Sequence, residues 1–263
     1  MDSALALPDA WSVVALCLAA LAAGWVDAVS GGGGLLQLPA LLLMAPGATP
    51  VQALATNKVA SLLGTSSAAA TYARRARPDV RTAVPMALAA FAGAAVGALT
   101  ASHVPASVFR PVIVALLAGV WLWTLLTPAL GQVQKLRWAG TRRHYAVAVV
   151  AGLLIGFYDG VLGPGTGSFL LITLVAGLGY SFLNGSATAK FVNLGTNLAA
   201  LLVFASTGSV LWALGLLMGA FNVIGAVVGA RMAIRRGSGF VRVVFLTVVG
   251  ALIARLVWGL FSG

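Results

Sequence analysis

The chain has 263 residues, 60% of them hydrophobic and 8% charged, and its 16 lysines and arginines against 5 acids give a formal net charge of +11. A soluble domain carries about 25% charged residues, so this composition excludes an ordinary water-surrounded globule. The basic residues sit in short gaps between apolar runs, without interleaved aromatics on a polar face, which excludes nucleic acid as the partner and points to the lipid headgroups of a membrane.

The first apolar run covers residues 11–30. Asp2 and Asp9 precede it and no lysine or arginine does, unlike a cleaved signal peptide, so it reads as a retained span. It carries Cys17, the single cysteine, which excludes a disulfide framework or a cysteine metal site within one chain. Gly31-Gly32-Gly33-Gly34 ends this run, a short apolar piece follows at 34–46, and further runs occupy 51–73, 82–102 and 107–127. Beyond a basic linker at 132–144 come 145–159, a short piece at 166–178 led by Gly163-Pro164-Gly165-Thr166-Gly167, and then 187–207, 209–232 and 240–261. A helix needs about 20 residues to cross the hydrocarbon core. The expected fold is therefore an all-α polytopic membrane protein of about 8 full spans. The two short glycine-led pieces are half-membrane or re-entrant helices, or tilted short spans.

The chain repeats itself at an offset of 132 residues (159 − 27 and 190 − 58). Asp27 falls on Asp159, Lys58 on Lys190, Thr56 on Thr188 and Arg110 on Arg242. Gly31, Gly33, Gly93 and Gly97 fall on Gly163, Gly165, Gly225 and Gly229. Residues 1–131 and 145–263 thus form two related halves joined by the linker. Arginine-rich loops at 74–81 and 131–144 read as cytoplasmic and put the His103–Pro105 turn outside. The offset carries that outside turn onto 235–238, with Arg235 and Arg236, and carries loop 74–81 onto the uncharged 206–213. Repeat partners on opposite sides indicate an inverted-topology repeat, with both chain ends on the non-cytoplasmic side. A parallel repeat would leave one arginine-rich loop on the wrong face.

Ionisable residues at membrane depth cost several kcal/mol and usually face a protein interior or a water path, so a duplicated Asp–Lys set marks a transport site. The glycine turns break the helices and free backbone groups that lipid cannot satisfy. The helix starts after them, around Gly33, Gly34, Gly165 and Thr166, would aim N–H groups at a cavity and favour an anion. The other reading is that these glycines only allow close packing, the better account of Gly93, Gly97, Gly225 and Gly229. Polar stripes flank the lysines: Thr56, Asn57, Lys58, Ser61, Thr65 and Ser66 in one half, and Ser186, Thr188, Lys190, Asn193, Thr196 and Asn197 in the other. Thr56, Asn57, Lys58, Ser61, Thr188, Lys190, Asn193 and Asn197 are the expected substrate ligands, unless each lysine snorkels to an interface. Asp27 and Asp159 either carry a coupling proton, or balance a lysine and cap a half-helix. Asn222 reads as an interhelical partner and Arg255 as an outer-interface residue beside Trp258. No catalytic residue, metal or cofactor is expected: His103 and His144 fall in predicted loops on opposite faces, and the Gly163–Ser168 stretch lacks the lysine of a phosphate loop.

Trp25-Val26-Asp27-Ala28-Val29-Ser30 with its four glycines, Gln37, Pro39 and Ala55-Thr56-Asn57-Lys58-Val59-Ala60-Ser61 form one motif. Gly156-Phe157-Tyr158-Asp159 through Gly167, with Ala187-Thr188-Ala189-Lys190-Phe191-Val192-Asn193, echoes it. This doubled pattern resembles the TauE/SafE sulfite exporter family of bacterial inner-membrane permeases over nearly the whole chain. The resemblance implies transport of sulfur-containing anions, such as sulfite or organosulfonates, across the cytoplasmic membrane, and leaves a homo-oligomer open. Asn57 has Ala189 as its repeat partner, so the two lysine helices cannot offer identical ligands. The expected mechanism is alternating access around a small anion held between the lysine helices; the rivals are a passive anion channel and an intramembrane enzyme.

Overall fold

A computed structural model describes residues 8–261 except 46, 77, 102–117, 119, 120, 123 and 128, with 252 and 255–261 described in the backbone alone. Among the described residues the fold is organised by α1 (Ala10–Ser30), α2 (Gly34–Met44), α3 (Pro50–Arg75), α4 (Val80–Thr100), α5 (Arg142–Val161), α6 (Thr166–Ile172), α7 (Phe182–Ser206) and α8 (Trp212–Phe261). No strand occurs among the described residues. The starts are written in the sequence: Asp9, Asp79, Thr141 and Ser181 accept first-turn N–H groups, and Thr49 forms a capping box with Gln52 ahead of Pro50.

Among the described residues, five helices are long and apolar enough to cross a membrane: α1, α4, α5, α7 and the stretch Trp212–Ala251 of α8. The larger number of spans expected from the sequence differs for three reasons. The run at 107–127 lies largely outside the described residues, as do Arg77, His103, Pro105 and Arg110. Helix α3 has 26 residues, but its polar stripe lowers its hydropathy. The runs at 209–232 and 240–261 are two helices joined directly across a kink at Gly237, with φ 73° and ψ −168°, and together they make up the single stretch Trp212–Ala251. The loop expected at 235–238 is therefore a single-residue break, which glycine permits because it lacks a Cβ. The two short pieces are helices, α2 with Pro39 inside it and α6 continued by a π-turn at Thr173–Gly177.

The surface is apolar and the centre polar, the reverse of a soluble protein. Leu18, Leu88, Leu99, Leu154, Leu202 and Ile224 are exposed, whereas Lys58, Asp159, Lys190, Asn193 and Asn197 are buried. That distribution suits lipid outside and a shielded polar site within.

The halves interlock. Helix α1 packs along α8 and its repeat partner α5 along α4, while α3 meets α8 as α7 meets α4. A methyl added at Gly93 would overlap the Leu153 carbonyl oxygen; at Gly225 it would overlap that of Leu21, the same contact shifted by the repeat offset. Gly97 against Phe157 and Gly229 against Trp25 repeat the correspondence. These glycines let helix backbones touch.

His144 is not in a loop, as its sequence neighbourhood suggested, but in the first turn of α5, where Thr141 starts the helix early, and it is 2% exposed. Its Nε2 lies 3.0 Å from Thr82 Oγ1 and its Nδ1 2.9 Å from the Arg137 carbonyl. The linker is held by Lys135 N–H and Arg137 N–H, which donate to the carbonyls of Gly179 and Leu178. Asp79 accepts hydrogen bonds from Thr82 and Tyr180. Burial pushes the Asp79 carboxyl up, but the bonds from Tyr180, Thr82 and the Arg81 N–H together hold it below its ordinary value. Burial, then the bond to Asp79, pushes the Tyr180 hydroxyl up.

Candidate functional site

The lysine of each half pairs with the aspartate of the other. Lys58 Nζ on α3 lies 2.7 Å from Asp159 Oδ2 on α5, and Lys190 Nζ on α7 lies 2.8 Å from Asp27 Oδ2 on α1. Both lysine side chains are 1% exposed, so neither snorkels to an interface. Each carboxylate sits near the end of its helix, beside a glycine turn, but α2 and α6 have no side-chain cap, so neither aspartate caps a half-helix.

Helper groups follow the offset as well. Asn197 Oδ1 lies 3.3 Å from Lys58 Nζ, and its repeat partner Thr65 places Oγ1 3.4 Å from Asp27 Oδ2. Thr166 Oγ1 donates to Asp159 Oδ1 at 2.6 Å.

The glycine turns meet at the centre. Gly31, Gly163 and Gly165 have φ of 82°, 82° and 86°, where a side chain would strain the backbone. Gly31 and Gly167 touch so closely that a Cβ on either would overlap the other's backbone. Ser168 clasps the contact: its N–H donates to the Gly31 carbonyl at 3.1 Å and its hydroxyl to the Ser30 carbonyl at 2.9 Å. Part of the backbone at the helix starts is used locally. The N–H groups of Leu35, Leu36 and Gln37 bond back to Gly32 and Gly33, and those of Thr166, Ser168 and Phe169 to Gly163, Gly31 and Gly165.

Between the turns lies a cavity of about 20 Å³, lined by Asp27, Asn57, Lys58, Ser61, Asp159, Thr166, Asn193 and Asn197 with Gly31, Gly34, Gly163, Gly165 and Gly167. That space holds about one water. Most of the residues expected from the sequence converge here. Lys190 reaches the cavity only through Asp27. Thr56 turns away, its Oγ1 accepting from Leu211 N–H at 3.1 Å just before α8, and Thr188 Oγ1 is buried with no hydrogen-bond partner among the described residues. Gly33 backs onto Ala23 and Asp27. Asn222 donates to Gln37 Oε1 at 2.8 Å, an interhelical contact as expected. Gly31, Gly163, Gly167, Thr65 and Ser168 were absent from the expected ligands. The signal for Thr65 was its offset to Asn197; the contact of the two turns has no sequence signature.

A buried set of paired charges at broken helices, inside an apolar exterior, defines a membrane protein with a polar centre. Comparison with known proteins narrows the class: residues 16–256 match the family model "Sulfite exporter TauE/SafE". The chain belongs to this family. It is 41% identical to "Probable membrane transporter protein ORF9" of Sinorhizobium sp, over 92% of this chain and 90% of that protein. It is 36% identical to "Probable membrane transporter protein YfcA" of Escherichia coli K12, over 92% and 88% of the two chains, and 32% identical to a "Probable membrane transporter protein" of Haemophilus influenzae, over 90% and 91%. No solved structure matches. Family and relatives place the chain among membrane transport proteins rather than enzymes.

Proposed function

We propose that the chain is a secondary transporter that moves a small anion, a sulfur oxyanion or organosulfonate, across the cytoplasmic membrane by alternating access. The observation that carries this reading is the reciprocal pair of buried Lys–Asp bridges between two interlocked halves. Lys58 and Lys190 supply the charge for the anion; Asn57, Ser61, Asn193, Asn197 and Thr166 supply groups that replace its water. At rest each lysine is occupied by a carboxylate and the cavity admits about one water, so the substrate enters only when the halves move. Since the four charges cancel, an anion must displace a carboxylate or arrive with a proton, which gives Asp27 or Asp159 a coupling role. The repeat offset and the arginine-rich loops support two halves inverted in the bilayer, with both termini outside the cytoplasm. The printed family name favours sulfite among the small anions.

The test is sulfite flux into liposomes holding the purified protein. Lys58→Ala, Lys190→Ala and the double change are expected to cut flux about tenfold or more, equivalent to roughly 1.4 kcal/mol or more of barrier. Unchanged flux in all three removes the lysines from the mechanism. Accumulation driven by an imposed pH gradient separates this carrier from a passive channel.

A further inference from the structure

The two ion pairs share one sequence rule but are tied down unequally. Asp159 receives Lys58 on Oδ2 and Thr166 on Oδ1, Lys58 has Asn197 as a second acceptor, and the Asp159 side chain is 2% exposed. Asp27 receives Lys190 at 2.8 Å and the long contact from Thr65 at 3.4 Å, both on Oδ2, and its side chain is 16% exposed. One source is Gly34, which stands 132 positions before Thr166, so the hydroxyl that anchors Asp159 has no counterpart at Asp27.

Opening a buried ion pair is costly in proportion to the partners lost and the water denied, so the cheaper pair to open is Lys190–Asp27. We infer that the bridges have divided duties: Lys58–Asp159 stays closed, Lys58 facing the anion from within its bridge, and Lys190–Asp27 is the pair that parts, Asp27 taking a proton from the open aqueous side while Lys190 turns to the anion. This rests on the anion-transport reading. The charges balance: a neutral Asp27, a cationic Lys190 and a monovalent anion replace the original bridge, so one proton travels with each anion. The groups around Asp27 allow this. Lys190 faces it from α7, and α3 brings Lys58 across the cavity and Tyr72, whose hydroxyl donates to the Ala28 carbonyl. Asp159 on α5 shares the cavity, and α2 and α6 carry no ionisable side chain. On α8, Arg231, Arg235 and Arg236 are exposed and Arg242 donates to the Thr124 carbonyl.

The asymmetry can be reversed. A Cβ at Gly34 would meet Pro164 Cα at 3.4 Å and Gly163 O at 3.8 Å, ordinary contact, so Gly34→Thr can place a hydroxyl near Asp27 without displacing the turn. The chain has five carboxylate side chains in all, which makes infrared difference spectra of the full protein in lipid vesicles, taken between neutral and acidic pH, assignable residue by residue. The expected result is a buried carboxylic C=O band that disappears in Asp27→Asn and survives in Asp159→Asn. In the double variant Gly34→Thr with Thr166→Gly, the band should instead depend on Asp159. Gly34→Thr alone should slow pH-driven sulfite uptake about fivefold or more, because an added donor ties down the carboxylate that has to part from Lys190. A band that persists in Asp27→Asn, or sulfite uptake by that variant that still follows the pH gradient as the parent does, overturns the assignment. If Asp159→Asn fails to fold, the closed bridge loses its partner as inferred, and the Asp27 and swap variants decide the remainder. A parent protein that moves no sulfite under any gradient defeats the anion reading, while the infrared comparison still decides which carboxylate takes the proton.

Discussion

Lys58 and Lys190 each have a carboxylate within 2.8 Å, and both lysine side chains are buried. Removing one member of a buried pair leaves an uncompensated charge and costs about 3–5 kcal/mol. The two ion pairs thus clamp the halves together. Asp79 is a second residue on which stability depends, through acidity rather than burial of charge. Its carboxyl is held below the ordinary value when folded, so its contribution is present above the unfolded-state value and is lost as pH falls through the folded-state value. Thermal unfolding in detergent should show a fall in midpoint on acidification through the carboxylate range. That fall should be smaller in Asp79→Asn, which starts from a lower midpoint at neutral pH; an identical acid profile would remove Asp79 from the account.

Among the elements, the closest contacts are glycine-mediated and come in repeat-related pairs. Gly93 on α4 and Gly225 on α8 each face a carbonyl oxygen of the neighbouring helix with no room for a methyl. Gly93→Ala and Gly225→Ala should each cost about 1–3 kcal/mol by forcing the backbones apart. Gly34→Ala, with ordinary contacts around its Cβ, should leave the unfolding midpoint close to the parent's. Equal midpoints for all three would show that the helix pairs do not rely on this approach. The glycine spacing was legible as packing because small residues four apart share one helix face. The turn glycines were harder: they break helices as expected, yet Gly31 and Gly167 also press together. Nothing local in either segment states that they meet.

For the whole molecule, the offset of 132 residues announced both the duplicated site and its helper residues, since related halves place related side chains alike. It could not announce that lysine and aspartate cross-pair between halves, because that depends on how α1 docks on α8 and α5 on α4. Nor could apolar runs alone separate a span from a polar core helix such as α3, or show that 209–232 and 240–261 meet at Gly237. The inverted arrangement is tested by labelling single cysteines in a Cys17→Ser background. Arg74→Cys in the first half and Thr207→Cys in the second, both exposed, should react with membrane-impermeant reagent from opposite sides. Reaction from one side would replace inversion by a parallel repeat.

Docking of the first helix onto the last sets an order of events during synthesis. Asp27 waits for Lys190, 163 residues further along, and Gly24 waits for Asn222. A nascent chain threading into the bilayer must therefore carry an unmatched carboxylate until most of the polypeptide has left the ribosome. Contacts so distant in sequence close slowly. The insertion machinery, or water drawn into the half-built bundle, has to shelter that charge in the interval.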